Sequence, residues 1–208
     1  MIQRKNLIIL AADKDIEYAV KGLLSRTESL GVTPITADIY VHPNRDSGCL
    51  RQSTAFLRAY AGQYDHAMVL FDREGCGQET RTRPELEAGL EESLSQNGWE
   101  DRAGVVILDP EIEIWVWSDS PQVDRALGWE GQPLNLRDWL IERGFLASGQ
   151  LKPMAPKEAM RHALHKVRKA ASPAIFHQLA RNVGLDRCTD PSFLKFRSLL
   201  TQWFPSNS

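Results

Sequence analysis

The stretch VLFDREGCGQE (Val69–Glu79) opens with three apolar residues that can cross a protein interior. It then sets an acid, a base and an acid, Asp72-Arg73-Glu74, where the chain must emerge, and breaks at Gly75 and Gly77. With the preceding HAM it makes HAMVLF, a continuous apolar run closed by glycines. That pattern predicts a strand covered on both faces and ending in a loop.

Working outward, NLIILAA (Asn6–Ala12) is a second run without alternation, again a strand buried on both sides. Asp13 or Asp15 caps the helix that follows, with Asp15 the better cap and Asp13 the better ligand. Apolar positions at Ile16, Ala19, Val20, Leu23 and Leu24 give that helix its spacing. Gly31 stops it, TPITADIYV reads as another strand, and HPNRDSGC is a turn-rich loop before a helix from about Gln52 to Ala61. Beyond Gly77, Thr82 and Glu85 form a capping box with Pro84 in the first turn of a helix reaching about Gln96. RAGVVIL (Arg102–Leu108) is the fourth strand. The β-α alternation predicts an α/β fold with a largely parallel four-stranded sheet flanked by helices.

After Asp109 the pattern changes. PEIEIWVWSDSP fits a strand or a helix, and helical segments follow at Leu136–Arg143, Lys157–Ala170, Pro173–Gly184 and Pro191–Phe204. The expected organisation is an α/β domain over residues 1–120 and a helical C-terminal portion over 121–208 packed on it. Glycines and prolines place the soft boundary near Leu146–Pro156.

The chain of 208 residues carries a net charge of −2, which does not mark a general nucleic-acid binder, so any basic surface is local. Three widely spaced cysteines fit neither a disulfide framework nor a zinc site. The LIILAA run is too short for a signal peptide and stops at Asp13-Lys14-Asp15, and no stretch can span a bilayer. A cytoplasmic protein without membrane contact is the expectation. There is no Gly-x-Ser-x-Gly elbow and no Walker-type loop. The first β-α turn, AADKDIE, has no glycine to admit a dinucleotide.

In an open parallel sheet, ligands bind beyond the carboxyl ends of the strands. Asp13 stands at one such end, with Glu17 four residues on, and Asp72 with Glu74 stand at another. Clustered carboxylates are hard oxygen ligands for Mg²⁺ or Mn²⁺, and with two ions they support in-line attack on a phosphodiester. Glu113, near Glu111, Trp115 and Trp117, either completes that set or is a solvated rim residue. The tryptophans read as core.

These residues resemble the Toprim domain: an acid with a second acid four residues on after the first strand, and an Asp-x-acid pair after the third. EIEIWVWSD and TDPSFLKFRSLL are similar to segments of small stand-alone Toprim-like proteins of bacterial defence islands, among them a small component of the methylation-associated defence system. The resemblance implies a Toprim/Rossmann-like sheet and Mg- or Mn-dependent hydrolysis of a nucleic-acid backbone in antiphage defence. DNA or RNA would be the substrate, other proteins of a defence system the partners, and a homodimer is compatible. It implies catalytic roles for Asp13, Glu17, Asp72 and Glu74, with Glu113 joining them as a metal ligand. This sequence departs from the pattern in having Asp13-Lys14 for Glu-Gly and Glu74 for the second Asp. Those changes leave open a non-catalytic subunit that binds nucleic acid or a partner. Phosphate contacts are expected from Lys14, Arg73 and Arg45, and from Arg161, Lys166 and Lys169 of the basic stretch KEAMRHALHKVRKAA. That stretch also reads as a solvated helix face.

Overall fold

The computed structural model describes residues 4–186 and 188–206. Strand β1 (Lys5–Ala11) is fully buried from Leu7 on, because both faces are covered. Helix α1 (Lys14–Leu24) follows, then the short α2 (Thr27–Leu30), strand β2 (Ala37–Val41) and helix α3 (Arg45–Arg58). Strand β3 (Tyr64–Asp72) leads to α4 (Arg83–Leu94), a π-type turn (Ser95–Trp99) and strand β4 (Ala103–Leu108). All strands pair in parallel in the order β2-β1-β3-β4. This is the predicted α/β architecture. The strand order reverses between β1 and β3, which opens a crevice at their carboxyl ends. Ala11 pairs with Leu70, so continuing that register sets Asp13 level with Asp72.

Several boundaries depart from expectation, among them the split of the first helix into α1 and α2 and the start of β2 at Ala37 rather than Thr33. Helix α3 begins at Arg45, inside the stretch read as a loop. Gly48, taken for a turn signal, is a close-approach residue: an added Cβ would lie 2.1 Å from Nδ1 of His42. The capping box of α4 forms as predicted, with Glu85 accepting from the Thr82 backbone at 2.8 Å and from its hydroxyl at 2.7 Å.

Past β4 come α5 (Glu113–Val116), α6 (Pro121–Leu127), α7 (Leu136–Glu142), α8 (Pro156–Lys166), α9 (Pro173–Asn182) and α10 (Pro191–Trp203). Helix α8 ends sooner than its composition predicts. Arg168 takes a left-handed φ of 56°, and Lys169 turns back to donate to the Ala126 carbonyl at 2.7 Å. These helices share one core with the sheet, in which Leu127, Ala163, Phe176 and Phe196 join Ile8 and Leu70. Helix α9 packs on α1, and α10 packs on β4. An added Cβ at Gly104 would come within 2.5 Å of Leu199 of α10, so glycine admits that helix.

The outer edge of β4 is closed by side chains. Glu91 and Glu87 of α4 accept the Val105 and Ile107 N–H groups at 2.9 and 3.0 Å. Lys195 of α10 bonds both carboxylates, and Arg83 bonds Glu87. The arrangement leaves fewer ladder donors free for edge-to-edge pairing. Replacing Glu87 with Ala would strand a buried N–H and remove the carboxylate that Arg83 and Lys195 share. The expected loss is roughly 3 to 5 kcal/mol, read as a lower midpoint in urea unfolding.

Candidate metal centre

Asp72, the last residue of β3, is 5% exposed. Its Oδ1 accepts the Ile112 N–H at 2.9 Å, and its own N–H donates to Asp46 Oδ1 at 2.9 Å. The first bond fixes the chain leaving β4 against the end of β3. The second brings the first turn of α3 over the same point. Glu111 accepts the Lys157 backbone N–H at 3.0 Å and the Lys157 ammonium at 3.0 Å, so the first turn of α8 rests on it. Glu113 opens α5; its Oε2 is buried and has no partner among the described residues. An unpaired buried carboxylate oxygen is costly and calls for an explanation.

One carboxylate oxygen from each of Asp72, Glu111 and Glu113 lies within 4.8 Å of the other two. Hard cations bind oxygen at about 2.0–2.6 Å, which keeps ligand oxygens within about 4 to 5 Å of each other. The trio therefore has the donor chemistry and spacing for one divalent cation, with the Glu113 oxygen available to it.

Burial, then the charges of Asp46, Asp13 and Glu113, hold the Asp72 carboxyl well above the usual carboxylate range. Burial pushes Glu113 up to about 7, against the attraction of Lys157. Asp15 is pushed up to about 6 by burial and by the Asp13 charge. Burial also raises Asp46. Burial opposes the charge of Lys157, but its hydrogen bond to Glu111 and the charges of Glu113, Glu111 and Asp72 hold its pKa above the ordinary value. A water-poor, acid-rich crevice with one ammonium at its rim produces all these shifts.

The residues singled out in the sequence fall into three groups. Asp72 and Glu113 lie in the trio. Asp13 is beside it but acts as the N-cap of α1, accepting the Asp15 and Ile16 N–H groups at 3.0 Å each. The cap and ligand roles expected of Asp15 and Asp13 are thus exchanged at the cap, and Asp15 is the acid whose charge reaches Glu113. Glu17 is buried outside the trio, clamped by Lys14 at 2.7 Å and Lys21 at 2.6 Å. Glu74 is exposed where the chain turns away from β3, its N–H donating to the Pro110 carbonyl at 3.0 Å.

Among the basic candidates, Lys14 is held by Glu17, Arg73 by Asp109 at 2.8 Å and the Glu79 carbonyl at 2.8 Å, and Lys169 by Ala126. Arg45, Arg161 and Lys166 are exposed. Sequence reasoning missed Glu111 as a ligand, and missed Asp46 and Lys157 as its neighbours. The Glu-x-Glu spacing after the fourth strand was the available signal for Glu111. Asp46 was hidden in a segment read as a loop.

No helix of the described residues is long and apolar enough to cross a membrane. No family model, curated protein or solved structure matches the chain.

A carboxyl raised by folding stabilises the folded state below its unfolded pKa, and that stability is lost as pH rises through the folded value. For Glu113 the window runs from its ordinary 4.5 to about 7, worth about 3 kcal/mol. The metal-free protein should therefore lose thermal stability from pH 4.5 to 7. Millimolar Mn²⁺ should restore it more at pH 7.5 than at pH 5. Glu113→Gln should flatten both responses in a scanning-calorimetry series.

Proposed function

We propose that this chain hydrolyses phosphodiester bonds of DNA or RNA with Mg²⁺ or Mn²⁺, as one component of a multi-protein antiphage system. The observation that carries the reading is the buried, unpartnered Glu113 oxygen grouped with Asp72 and Glu111 at the switch point of a parallel sheet. The Toprim-like motif pattern supplies the reaction class and the defence setting.

In this reading Asp72, Glu111 and Glu113 hold the cation. When bound, a divalent ion polarises a phosphoryl oxygen and lowers the pKa of water. The chain's own residues do the rest. Asp15, with its carboxyl near 6, takes the proton of the attacking water at a pH close to neutral. The Lys157 ammonium, at the rim of the trio, meets a phosphoryl oxygen. Arg161, His165 and Lys166 are exposed along α8, whose first turn is fixed to Glu111. From Lys157 to Lys166 a helix rises about 14 Å, enough to follow several phosphates of one strand at about 3.4 Å each.

One observation favours a second reading, a binding subunit that does not cleave. Lys157 already neutralises Glu111, and Glu17 and Glu74 lie outside the trio, so fewer acids serve the ion than the Toprim pattern implies. Cleavage of single- and double-stranded DNA and RNA, measured with and without Mn²⁺, separates the two. Cleavage that needs Mn²⁺ and drops at least about 100-fold in Asp72→Asn supports hydrolysis. Equal activity in both proteins contradicts it, and Mn²⁺ binding without cleavage of any substrate favours the second reading.

A further inference from the structure

A cleft of about 310 Å³ lies between α1, α5, α9 and residues Val183, Gly184, Leu185, Cys188 and Thr189. Its walls are apolar and aromatic, with Trp115, Phe176, Leu179 and Phe193 prominent, and Ala19 and Gly184 leave the room. The volume is at the low end of the roughly 300–1,000 Å³ of ligand pockets, which suits a body of one or two rings. Lys152 also lines it, but its ammonium is committed to the Ile114 carbonyl at 2.7 Å and faces Asp190 at 3.6 Å.

A second cleft, of about 330 Å³, adjoins the first and shares Trp117, Ser118, Asp119 and Leu151 with it. This neighbour is mixed, less apolar than the first. Its charged lining residues are Asp119, Asp124, Asp138 and Arg137, three carboxylates against one guanidinium. Arg137 is engaged by the Gln150 and Leu151 carbonyls. Asp119 makes no ion pair among the described residues and is exposed. At the junction, the Ser118 hydroxyl oxygen is buried without a partner among the described residues. Asp138 is held by the Asn135 amide at 2.6 Å, which leaves Asp119 as the open carboxylate, and an aromatic-walled pocket opening onto it is complementary to a ring that carries positive charge.

We propose that the paired clefts form a binding site for an amphiphilic aromatic cation, its ring body between Trp115 and Phe176 and its amine at Asp119. The site uses none of the metal-binding carboxylates, so it stands or falls independently of the phosphodiesterase reading.

Titration calorimetry of the full chain, in metal-free buffer at low salt, tests this with three indoles of matched ring: tryptamine, neutral indole and indole-3-acetate. The expected result is one-to-one binding of tryptamine at least 10-fold tighter than of indole-3-acetate. Asp119→Asn should bring the two within about 2-fold while indole binding is unchanged. Gly184→Phe should abolish binding of all three; an added Cβ there meets nothing within 4 Å, so the fold has room for it. An unchanged thermal midpoint in each variant would show that the losses are local. No saturable binding of any probe at millimolar concentration would overturn the proposal. So would an anion that binds as well as the cation, or binding that survives Gly184→Phe in a folded protein.

Discussion

Mutual repulsion among buried carboxylates is the constraint on which this structure turns. At an effective dielectric near 20, two charges no farther apart than the 4.8 Å of the Asp72, Glu111 and Glu113 oxygens repel by at least about 3.5 kcal/mol. A fold that brings three together must hold protons, a cation or both. The scaffold that presses them together is specific. The Ile112 N–H binds Asp72, Asp46 binds the Asp72 N–H, and Glu111 anchors the start of α8 through its first-turn N–H and its lysine. Each of these bonds positions an acid that would otherwise swing into water. The strand order supplies the crevice, and the segment after β4 supplies two of the three acids.

That segment also ties the two halves of the chain together. Trp117 donates its indole N–H to the Pro156 carbonyl at 3.0 Å, Trp115 donates to Ser192 at 2.7 Å, and Lys152 reaches the Ile114 carbonyl. The short helix α5 thus carries an acid of the trio, while Trp115 within it and Trp117 just after it bond the starts of α10 and α8. The basic face of α8 is held in register with the acidic centre by the same contacts. Lys157 stands at the rim of that centre, where its ammonium partly offsets the acids.

Much of this was legible in the residues. Continuous apolar runs at NLIILAA and HAMVLF read as strands buried on both faces, and Thr82-x-x-Glu85 announced a helix start. Acids at the strand ends pointed to the crevice. Other features were not legible, for physical reasons. Gly48 looks like a turn residue but lies in α3 where His42 crowds it, so the first turns of α3, Asp46 among them, were read as loop. Glu17 and Glu111 are both acids near strand ends. The difference is in their neighbours: two lysines one helical turn away spend Glu17, whereas Glu111 is turned inward by an N–H contributed 46 residues later. No local pattern encodes that contact. The two adjoining clefts depend on how α5, α6, α7 and α9 meet, and periodicity is silent on such meetings.

The most direct test of the central claim is an anomalous difference map from crystals soaked in Mn²⁺ at pH 7.5. The account predicts a peak within about 2.0–2.6 Å of carboxylate oxygens from Asp72, Glu111 and Glu113, absent in Glu113→Gln crystals. A well-ordered map with no peak among those oxygens, and Lys157 still bonded to Glu111, would contradict it.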